Sequence, residues 1–254
     1  HKSKKGVSQS MLRKSWFDTT SELRRIMAPS SDASTSSITS MREIDNSQIG
    51  FICPIESPEG QNVGFKKHLT MQSTITVQNI IQKDIIISIL EKETKSLECY
   101  EIDDLELKYY TKIFINGDWL YLSDNSMDLY EFLLHKKRCG IINIYTSIAW
   151  CYQENQILIN TESGRCIRPT YIINENNKIR FSKKEVLRLL NDKIKFNQLF
   201  DIKQYDNDII DEDIYKKDKF TENSIIEFLD TEENNTTLIA INFKDLNKGF
   251  KGNT

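Results

Sequence analysis

Two prolines and a glycine between positions 54 and 60 constrain the backbone of this chain more than any other feature of its sequence. Pro54 and Pro58 each hold φ at about −65°, and Gly60 can adopt the positive φ that a sharp reversal requires. Residues 49–54, which precede the turn, form an apolar run that is typical of a short buried strand. The sequence therefore predicts that a strand enters a rigid turn here. We refer to residues 54–64 as the corner.

The residues on the N-terminal side of the corner predict a short helix and an exposed loop. Residues 21–27 have a helical pattern, with Thr19 as the capping residue and Pro29 just beyond the end. Residues 30–37 are small and polar and show no apolar periodicity, which is typical of an exposed loop.

The middle of the chain alternates between helical and strand patterns. Apolar residues recur at helical spacing over residues 79–92. Asn116-Gly117 accepts the positive φ angles of a type I′ turn and therefore predicts a hairpin over residues 112–122. A second helix is predicted to end at Gly140, and a strand is predicted at residues 142–150.

The last part of the chain predicts a second hairpin, a capped helix and a final strand. The second hairpin would pair residues 157–160 with residues 166–173. Ser182 and Glu185 have the spacing of a capping box for a helix that starts at Lys183. Residues 237–241 predict the last strand. Together these patterns predict an α+β fold, a mixed multi-lobed segment with short helices, antiparallel hairpins and an exposed loop.

Charge and cysteine usage exclude several classes of function. The 254 residues carry 34 basic and 37 acidic side chains, so the chain as a whole offers no positive field for nucleic acid and any contact must be local. The five cysteines form no Cys-x-x-Cys pair and predict free thiols in a reducing compartment inside the cell. No apolar run approaches the roughly 20 residues of a membrane helix, and no secretory signal is recognisable, so a membrane is not expected as a partner.

No catalytic motif that a single chain could use is recognisable. The sequence lacks a Walker loop, a dinucleotide glycine fingerprint, a nucleophile elbow and a zincin helix. Glu56 and Glu59 could form a carboxylate pair for acid–base catalysis, but the prolines beside them favour a role in holding backbone and basic groups. His68 and His135 are isolated and are expected to be surface or packing residues. A self-contained enzyme is therefore a weak hypothesis.

Three motifs, in this order along the chain, resemble one family. Residues 6–9 read Gly-Val-Ser-Gln, residues 23–25 read Leu-Arg-Arg, and residues 52–64 read Ile-Cys-Pro-Ile-Glu-Ser-Pro-Glu-Gly-Gln-Asn-Val-Gly. Together they resemble the second-largest subunit of multisubunit DNA-dependent RNA polymerases, the β subunit of bacteria. The third motif is long and carries most of the resemblance. Weaker support comes from residues 114–119, 164–169 and 227–240.

The resemblance implies a central segment of a larger subunit with three regions. These are a fork region at residues 1–77, an external 1-like region at residues 78–150 and an external 2-like region at residues 151–254. In this family the catalytic magnesium is bound by aspartates outside these regions, mainly in the largest subunit. The resemblance therefore implies no catalytic residue and no cofactor in this chain, and Mg²⁺ only in the complete polymerase.

The resemblance also implies which residues contact nucleic acid and which support the active centre. Gln9, Arg24 and Arg25 are expected beside the DNA–RNA hybrid, because a guanidinium fork and an amide suit phosphate oxygens or 2′-hydroxyls. An ion pair of either arginine with Glu22 or Glu56 is the structural alternative. The residues expected to support the active centre are Pro54, Glu56, Pro58, Glu59, Gly60 and Asn62. Those of the fork loop, expected near the point of strand separation, are Ser30, Ser31, Asp32, Ser34, Thr35 and Ser36.

The implied function is to position the DNA–RNA hybrid and downstream DNA during transcription. The implied partners are the largest polymerase subunit, the other polymerase subunits, template DNA and nascent RNA. The alternative is a non-catalytic interaction or scaffold protein that keeps the architecture. The abundance of Ile, Asn and Lys, together with the Ser/Thr-rich fork loop, favours a large DNA virus as the source, with an AT-rich protist as the second choice.

Overall fold

The structure of the protein is a computed structural model in which the chain forms two compact units, residues 1–74 and residues 75–254. It describes residues 10–27, 39–77, 81–96, 109–174, 178–195, 199–200 and 224–246.

The described residues of the first unit include one helix, two paired strands and several single-turn 3₁₀ helices. Helix α1 is Trp16–Leu23, strand β1 is Arg25–Met27 and strand β2 is Lys66–His68. The two strands are antiparallel, with Arg25 opposite His68. The 3₁₀ turns are Ser40–Arg42, Asn46–Gln48 and Gly60–Asn62.

Two predictions for the first unit are wrong. The helix predicted over residues 21–27 starts earlier, because the Ser15 hydroxyl accepts the Asp18 amide as an N-cap, and it ends at Leu23. Residues 25–27 form a strand instead, because their backbone pairs with β2. The strand predicted at residues 49–54 is reduced to a single bridge between Ile52 and Leu69. Pairing with a distant segment overrides local propensity at residues 25–27. At the second place, the amides of Phe51 and Ile52 donate to the Gln48 carbonyl in a turn, which limits the strand pairing.

The second unit is organised around a five-stranded sheet and two helices. These elements are β4 (Lys95–Ser96), β5 (Thr111–Ile115), β6 (Asp118–Ser123), β7 (Ser147–Cys151), β8 (Gln156–Asn160), α2 (Ile81–Glu93) and α3 (Ser126–Arg138). The strands lie in the order β4-β6-β5-β8-β7. Helices α2 and α3 contribute apolar side chains to the same core cluster as the sheet, which includes Ile86, Ile113 and Leu133. The hairpin of β5 and β6 turns at Asn116 and Gly117, which both have positive φ, as the sequence predicts.

The structure also contains a three-stranded sheet and a second core cluster. This cluster includes Ile144, Phe200 and Ile226, and the rings of Phe200 and Phe228 stack with centroids 5.1 Å apart. The remaining elements are β3 (Thr74–Ile75), β9 (Cys166–Tyr171), α4 (Lys183–Leu190), β10 (Ile226–Asp230), α5 (Thr231–Thr236) and α6 (Phe243–Leu246). The strands of the three-stranded sheet lie in the order β10-β9-β3.

Buried ion pairs fasten β10 and α5 within the second unit. Lys137 and Glu233 are both almost fully buried, with 2.7 Å between Nζ and Oε1. The Ile148 amide donates to the same carboxylate oxygen, 2.8 Å away. Arg165 donates to the Asp230 carboxylate at 2.9 Å. Burial raises the pKa of Glu233, although the Lys137 ammonium acts in the opposite direction.

Three predictions for the second unit are wrong or only partly right. Strand β8 does not pair with β9: it pairs with β7 and, in parallel, with β5, whereas β9 pairs with β10. The last strand of the described residues is β10, not residues 237–241, which follow α5 and contain no strand. The strand predicted at residues 142–150 is confined to Ser147–Cys151. The pairing of strands depends on which apolar faces become buried together, and these faces can belong to segments that are far apart in the sequence.

Other predictions for the second unit are confirmed. The α+β class is correct, the helix of residues 79–92 corresponds to α2, and the capping box of Ser182 and Glu185 is formed at α4. Gly140 has a φ of 77° just after α3, as a helix C-terminus often requires. Among the described residues, no helix is both long and apolar enough to cross a membrane.

Candidate nucleic-acid interface

The candidate site lies in the first unit, where helix α1 and the corner meet. The Ser21 hydroxyl on α1 donates to Glu56 Oε1 in the corner. His68 Nδ1, on β2, lies 3.3 Å from the same carboxylate oxygen. The helix that precedes the two arginines and the proline-rich corner are therefore in direct contact.

Strand β2 and the residues after it link both parts through the backbone. The Cys53 amide donates to the His68 carbonyl at 2.8 Å, and the Leu69 amide donates to the Arg24 carbonyl at 3.1 Å. The Thr70 amide then donates to the Phe51 carbonyl at 2.9 Å. Because backbone hydrogen bonds bind this segment on two sides, its position fixes both α1 and the entry to the corner.

The corner is closed by one side chain and one turn. The Ser57 hydroxyl accepts the Gly64 amide at 2.9 Å and donates to the Lys66 carbonyl at 3.4 Å, so it joins the start of the corner to its exit. Gly60 has a φ of 79° and opens the 3₁₀ turn Gly60–Asn62. The sharp reversal that the sequence predicts at Gly60 is present.

Arg42, which follows the fork loop in the sequence, binds the backbone of the corner. Its NH1 donates to the carbonyls of Gln61 and Val63, both at 2.8 Å, and its guanidinium lies 4.3 Å from the centroid of the Phe65 ring. Planar guanidinium groups suit this combination of paired hydrogen bonds and ring stacking. Arg42 thus determines the path of the chain through residues 61–65.

Arg24 lies at the C-terminal end of α1 and is used within the unit. Its NH2 donates to the carbonyls of Thr70 and Ser73, at 2.5 and 2.6 Å. These bonds connect the end of the helix to the residues that follow β2. Arg24 therefore braces the fold, whatever else its remaining donors contact.

Arg25 makes the ion pair that the sequence offered as the structural alternative. Its Nη2 lies 2.7 Å from Glu22 Oε1, and 22% of the Arg25 side-chain surface is exposed to solvent. The Leu12 amide donates to the other oxygen of Glu22 at 2.8 Å. This amide, together with Arg25, lowers the pKa of Glu22. The pair neutralises part of the positive charge that Arg25 would bring to the surface.

The two glutamates of the corner have different surroundings. The Glu56 carboxylate is engaged by Ser21 and His68, as expected of a group that holds its neighbours. Glu59 is exposed and precedes the turn Gly60–Asn62 without a side-chain cap. Pro54 is exposed, whereas Pro58 and Asn62 are half-buried.

Some sequence-predicted site residues lie outside the described residues. They are Gln9 and the fork-loop residues Ser30, Ser31, Asp32, Ser34, Thr35 and Ser36. Arg13 and Lys14, just before α1, are described and exposed. Within the described part of the chain, no group of three His, Cys, Asp or Glu side chains could hold a metal ion.

Sequence reasoning missed three residues that shape this site: Ser21, Arg42 and His68. The motifs point to the arginines and the corner, but not to the side chains that join them. Ser21 and His68 are 47 positions apart, and no local pattern connects them. The signal that could have revealed Arg42 is its position as the first basic residue after the fork loop.

Comparison with known proteins agrees with the motifs. Three family models match: RNA polymerase Rpb2, domain 3, at residues 9–75, domain 4 at residues 113–174 and domain 5 at residues 218–254. DNA-directed RNA polymerase subunit 2 of Acanthamoeba polyphaga mimivirus is 32% identical over 240 residues, which cover 94% of this chain and 18% of that protein.

Cellular relatives show similar values. DNA-directed RNA polymerase II subunit 2 of Arabidopsis thaliana is 30% identical over 242 residues, which cover 95% of this chain and 18% of the relative. DNA-directed RNA polymerase subunit Rpo2 of Sulfolobus acidocaldarius is 25% identical over 249 residues, 95% of this chain and 20% of the relative. The chain thus spans about a fifth of the length of the curated relatives that it matches.

Proposed function

This chain belongs to the family of the second-largest subunit of DNA-directed RNA polymerase, and on that basis we propose that it positions the DNA–RNA hybrid and downstream DNA near the active centre of a transcribing enzyme. The single observation that carries this proposal is the contact between Ser21 and Glu56. It joins the arginine-bearing segment and the corner into one surface in the region that matches Rpb2 domain 3.

The site supports a positioning role better than a chemical one. Glu22 pairs with Arg25, and Glu56 is bound by Ser21 and His68. The guanidinium groups of Arg24 and Arg42 donate to backbone carbonyls, which holds the surface in place. Nucleotidyl transfer depends chiefly on the positioning of reactants and on charge stabilisation by metal ions. In this proposal, Mg²⁺ supplies that charge in the complete polymerase and is bound by residues outside this chain.

The proposed partners follow from the relatives, which are subunits of multisubunit RNA polymerases. We propose that this chain assembles with the largest subunit and the other subunits of such an enzyme. Template DNA and nascent RNA would be contacted by Gln9, Arg24 and Arg25, with the corner as their support. The fork loop of residues 30–36 would lie near the point of strand separation.

The proposal is tested with Arg24→Ala and Arg25→Ala in the assembled polymerase that contains this chain. The half-life of halted elongation complexes is measured over a series of salt concentrations. A guanidinium that binds a phosphate releases counterions. Its loss should therefore shorten the half-life. It should also reduce the steepness of the plot of log half-life against log salt concentration by about one, the value for one phosphate contact.

The matched control is Lys183→Ala, which removes one exposed positive charge from α4 in the second unit. This variant should keep the wild-type half-life and slope. Wild-type behaviour of both arginine variants would overturn their contact with nucleic acid. A shorter half-life with an unchanged slope would mean that the arginines act only as braces, through Thr70, Ser73 and Glu22.

A further inference from the structure

We propose that His68 is a positioning residue that holds the corner against α1, and that it does so with a hydrogen on Nδ1. The proposal rests on the proposed function, because it specifies how the surface that would face nucleic acid is kept in place. His68 does not touch reacting groups: it acts through Glu56.

The argument for the hydrogen begins with the oxygens around Nδ1. Glu56 Oε1 lies 3.3 Å from Nδ1, the Ser21 carbonyl oxygen 3.3 Å and the Ser21 hydroxyl oxygen 3.2 Å. A carboxylate and a carbonyl can only accept a hydrogen bond. The single hydrogen of the Ser21 hydroxyl is donated to Glu56.

No oxygen in this group therefore has a hydrogen to give to the imidazole. If Nδ1 were bare, its lone pair would face three oxygen lone pairs and the ring would be repelled. With a hydrogen on Nδ1, the ring can donate a hydrogen bond to these oxygens. The arrangement thus selects the Nδ1–H tautomer of the neutral ring, because the tautomer follows from the hydrogen bonds that the ring makes.

Burial makes this contact costly to lose. The His68 side chain is 7% exposed, whereas that of Glu56 is 47% exposed. Water therefore has little access to the imidazole and cannot readily replace its partners. Glu56 would keep water as an alternative partner, so loss of the imidazole donor would free the carboxylate rather than bury it unpaired.

The backbone of His68 places the ring between the two parts that it joins. Its carbonyl accepts the Cys53 amide, which leads into the corner, and the next amide donates to Arg24 at the end of α1. A side chain at this position can reach both parts at once. A residue without a donor should leave the backbone pairing intact but loosen Glu56 and the corner.

The first test reads the protonation of the imidazole directly and needs no measurement of activity. The full 254-residue chain is labelled with ¹⁵N-histidine and studied by NMR at about pH 8.5, where an ordinary histidine is neutral. The His68 resonances are identified by their loss in His68→Asn. We expect the Nδ1–H pattern at position 68. An Nε2–H pattern, which is the preferred form of free histidine, would overturn the proposal.

The second test compares His68→Leu with His68→Asn in the assembled polymerase. Leu removes the donor, while the Asn amide restores an N–H close to the place of Nδ1. We expect His68→Leu to lower kcat/KM for nucleotide addition about tenfold, since small displacements of positioned groups are costly, and His68→Asn to recover most of the loss. If His68 contributed only apolar volume to packing, His68→Leu would keep more of the wild-type kcat/KM than His68→Asn, and this result would overturn the proposal.

Two further variants complete the test. Glu56→Ala should lower kcat/KM like His68→Leu, and the double variant should add little to either, because each change removes the same contact between residues 56 and 68. His135→Leu removes the other described histidine, which contacts Cys139 in the second unit, and should leave nucleotide addition unchanged. Additive losses in the double variant would overturn the coupling between His68 and Glu56.

Failure of this inference can be distinguished from failure of the proposed function. If the arginine variants alter elongation-complex half-life but His68→Leu adds nucleotides at the wild-type rate, the positioning role of His68 is overturned and the proposed function stands. If the arginine variants have no effect, the proposed function is overturned. The contact between His68 and Glu56 is then still tested by two measurements on the 254-residue chain: the tautomer of His68, and the non-additivity of the two variants in the free energy of unfolding.

Discussion

At the scale of single residues, Gly64 occupies a position that no other residue fits. Its φ is 75°, and a Cβ would lie 2.5 Å from the Arg42 carbonyl oxygen and 2.6 Å from the Arg42 Cα. Arg42 cannot move away cheaply, because its guanidinium is bonded to Gln61 and Val63 and stacked on Phe65. The glycine is therefore required by close packing of two backbones as well as by its own conformation.

Gly64→Ala should destabilise the first unit by about 3 kcal/mol, the sum of a left-handed backbone and an overpacked contact. Gly60→Ala is the matched control, because Gly60 has a similar φ but no atom lies within 4 Å of the place that its Cβ would take. It should cost only about 1 to 2 kcal/mol. Hydrogen exchange of the Cys53 and Leu69 amides measures both. Equal losses of protection would contradict the steric argument.

The lowered pKa of Glu22 should make the stability of the first unit depend on pH. Its pKa is lowered in the folded protein, so it contributes stability above the unfolded pKa, and that contribution is lost as pH falls through the folded pKa. Glu22→Gln should therefore be less stable than the wild type at pH 7, and the difference should shrink below the ordinary value of 4.5.

The measurement is hydrogen exchange of the Leu69 amide, or chemical unfolding of the first unit, at pH 7 and at about pH 3. Glu59→Gln serves as the control, because the Glu59 side chain makes no cap hydrogen bond. It should be close to the wild type at both pH values. A deficit of Glu22→Gln that stays constant down to about pH 3 would refute the assignment of the stabilisation to the ionised carboxylate.

At the scale of elements, distant partners determine where helices and strands end. Helix α1 stops at Leu23 although Arg24, Arg25 and Ile26 could continue it, because β1 pairs with β2, about 40 positions later in the sequence. Strand β10 ends at Asp230, whose side chain caps α5 through a capping box with Glu233. The same Glu233 binds Lys137 at the end of α3, so one carboxylate connects three elements.

Lys137→Met should destabilise the second unit by about 3 to 5 kcal/mol at neutral pH, because it leaves the Glu233 charge buried without its partner. Without the ammonium, the pKa of Glu233 should rise further. A carboxyl with a raised folded pKa binds its proton more tightly in the folded state, so stability falls as pH rises through the window between the two pKa values.

Urea unfolding of Lys137→Met at about pH 5 and pH 8 tests this prediction, and the loss should be larger at pH 8. Lys83→Met breaks an exposed ion pair with Asp118 at 3.6 Å and is the matched control. It should cost less than about 1 kcal/mol, with little change between the two pH values. A Lys137→Met loss that is independent of pH would contradict the role of Glu233 ionisation.

At the scale of the whole molecule, the two units differ in their apolar cores. Both core clusters of the described residues lie in the second unit, which contains Ile113, Leu133 and Ile226 among their buried members. In the described part of the first unit, the buried apolar side chains are Phe51 and Leu69. The first unit therefore depends more on hydrogen bonds, such as those of Arg24, Arg42 and Ser57, than on apolar burial.

This difference predicts how the units behave when separated. Residues 75–254 expressed alone should unfold cooperatively, because the described core clusters lie within them. Residues 1–74 expressed alone should show no cooperative transition, since a core of this size rarely offsets the conformational entropy. Circular dichroism during thermal unfolding measures both. A sharp transition of residues 1–74 would contradict this account of their stability.

Features that depend on neighbouring residues could be predicted without coordinates. Asn116-Gly117 indicated the hairpin, Ser182 with Glu185 indicated the capped helix, and the motif at residues 52–64 indicated the family, because turn geometry, capping and motif order are all local properties. The side chains that hold the corner against α1, Ser21 and His68, are not indicated by these local patterns.

Which distant groups meet became known only from the folded chain. The fold moved residues 25–27 from helix to strand, separated β8 from β9, and brought Ser21, Glu56 and His68 together over 47 positions. It also paired Arg25 with Glu22. Such contacts arise from burial and hydrogen-bond satisfaction across the whole unit, and the energy of each depends on partners that no local pattern encodes.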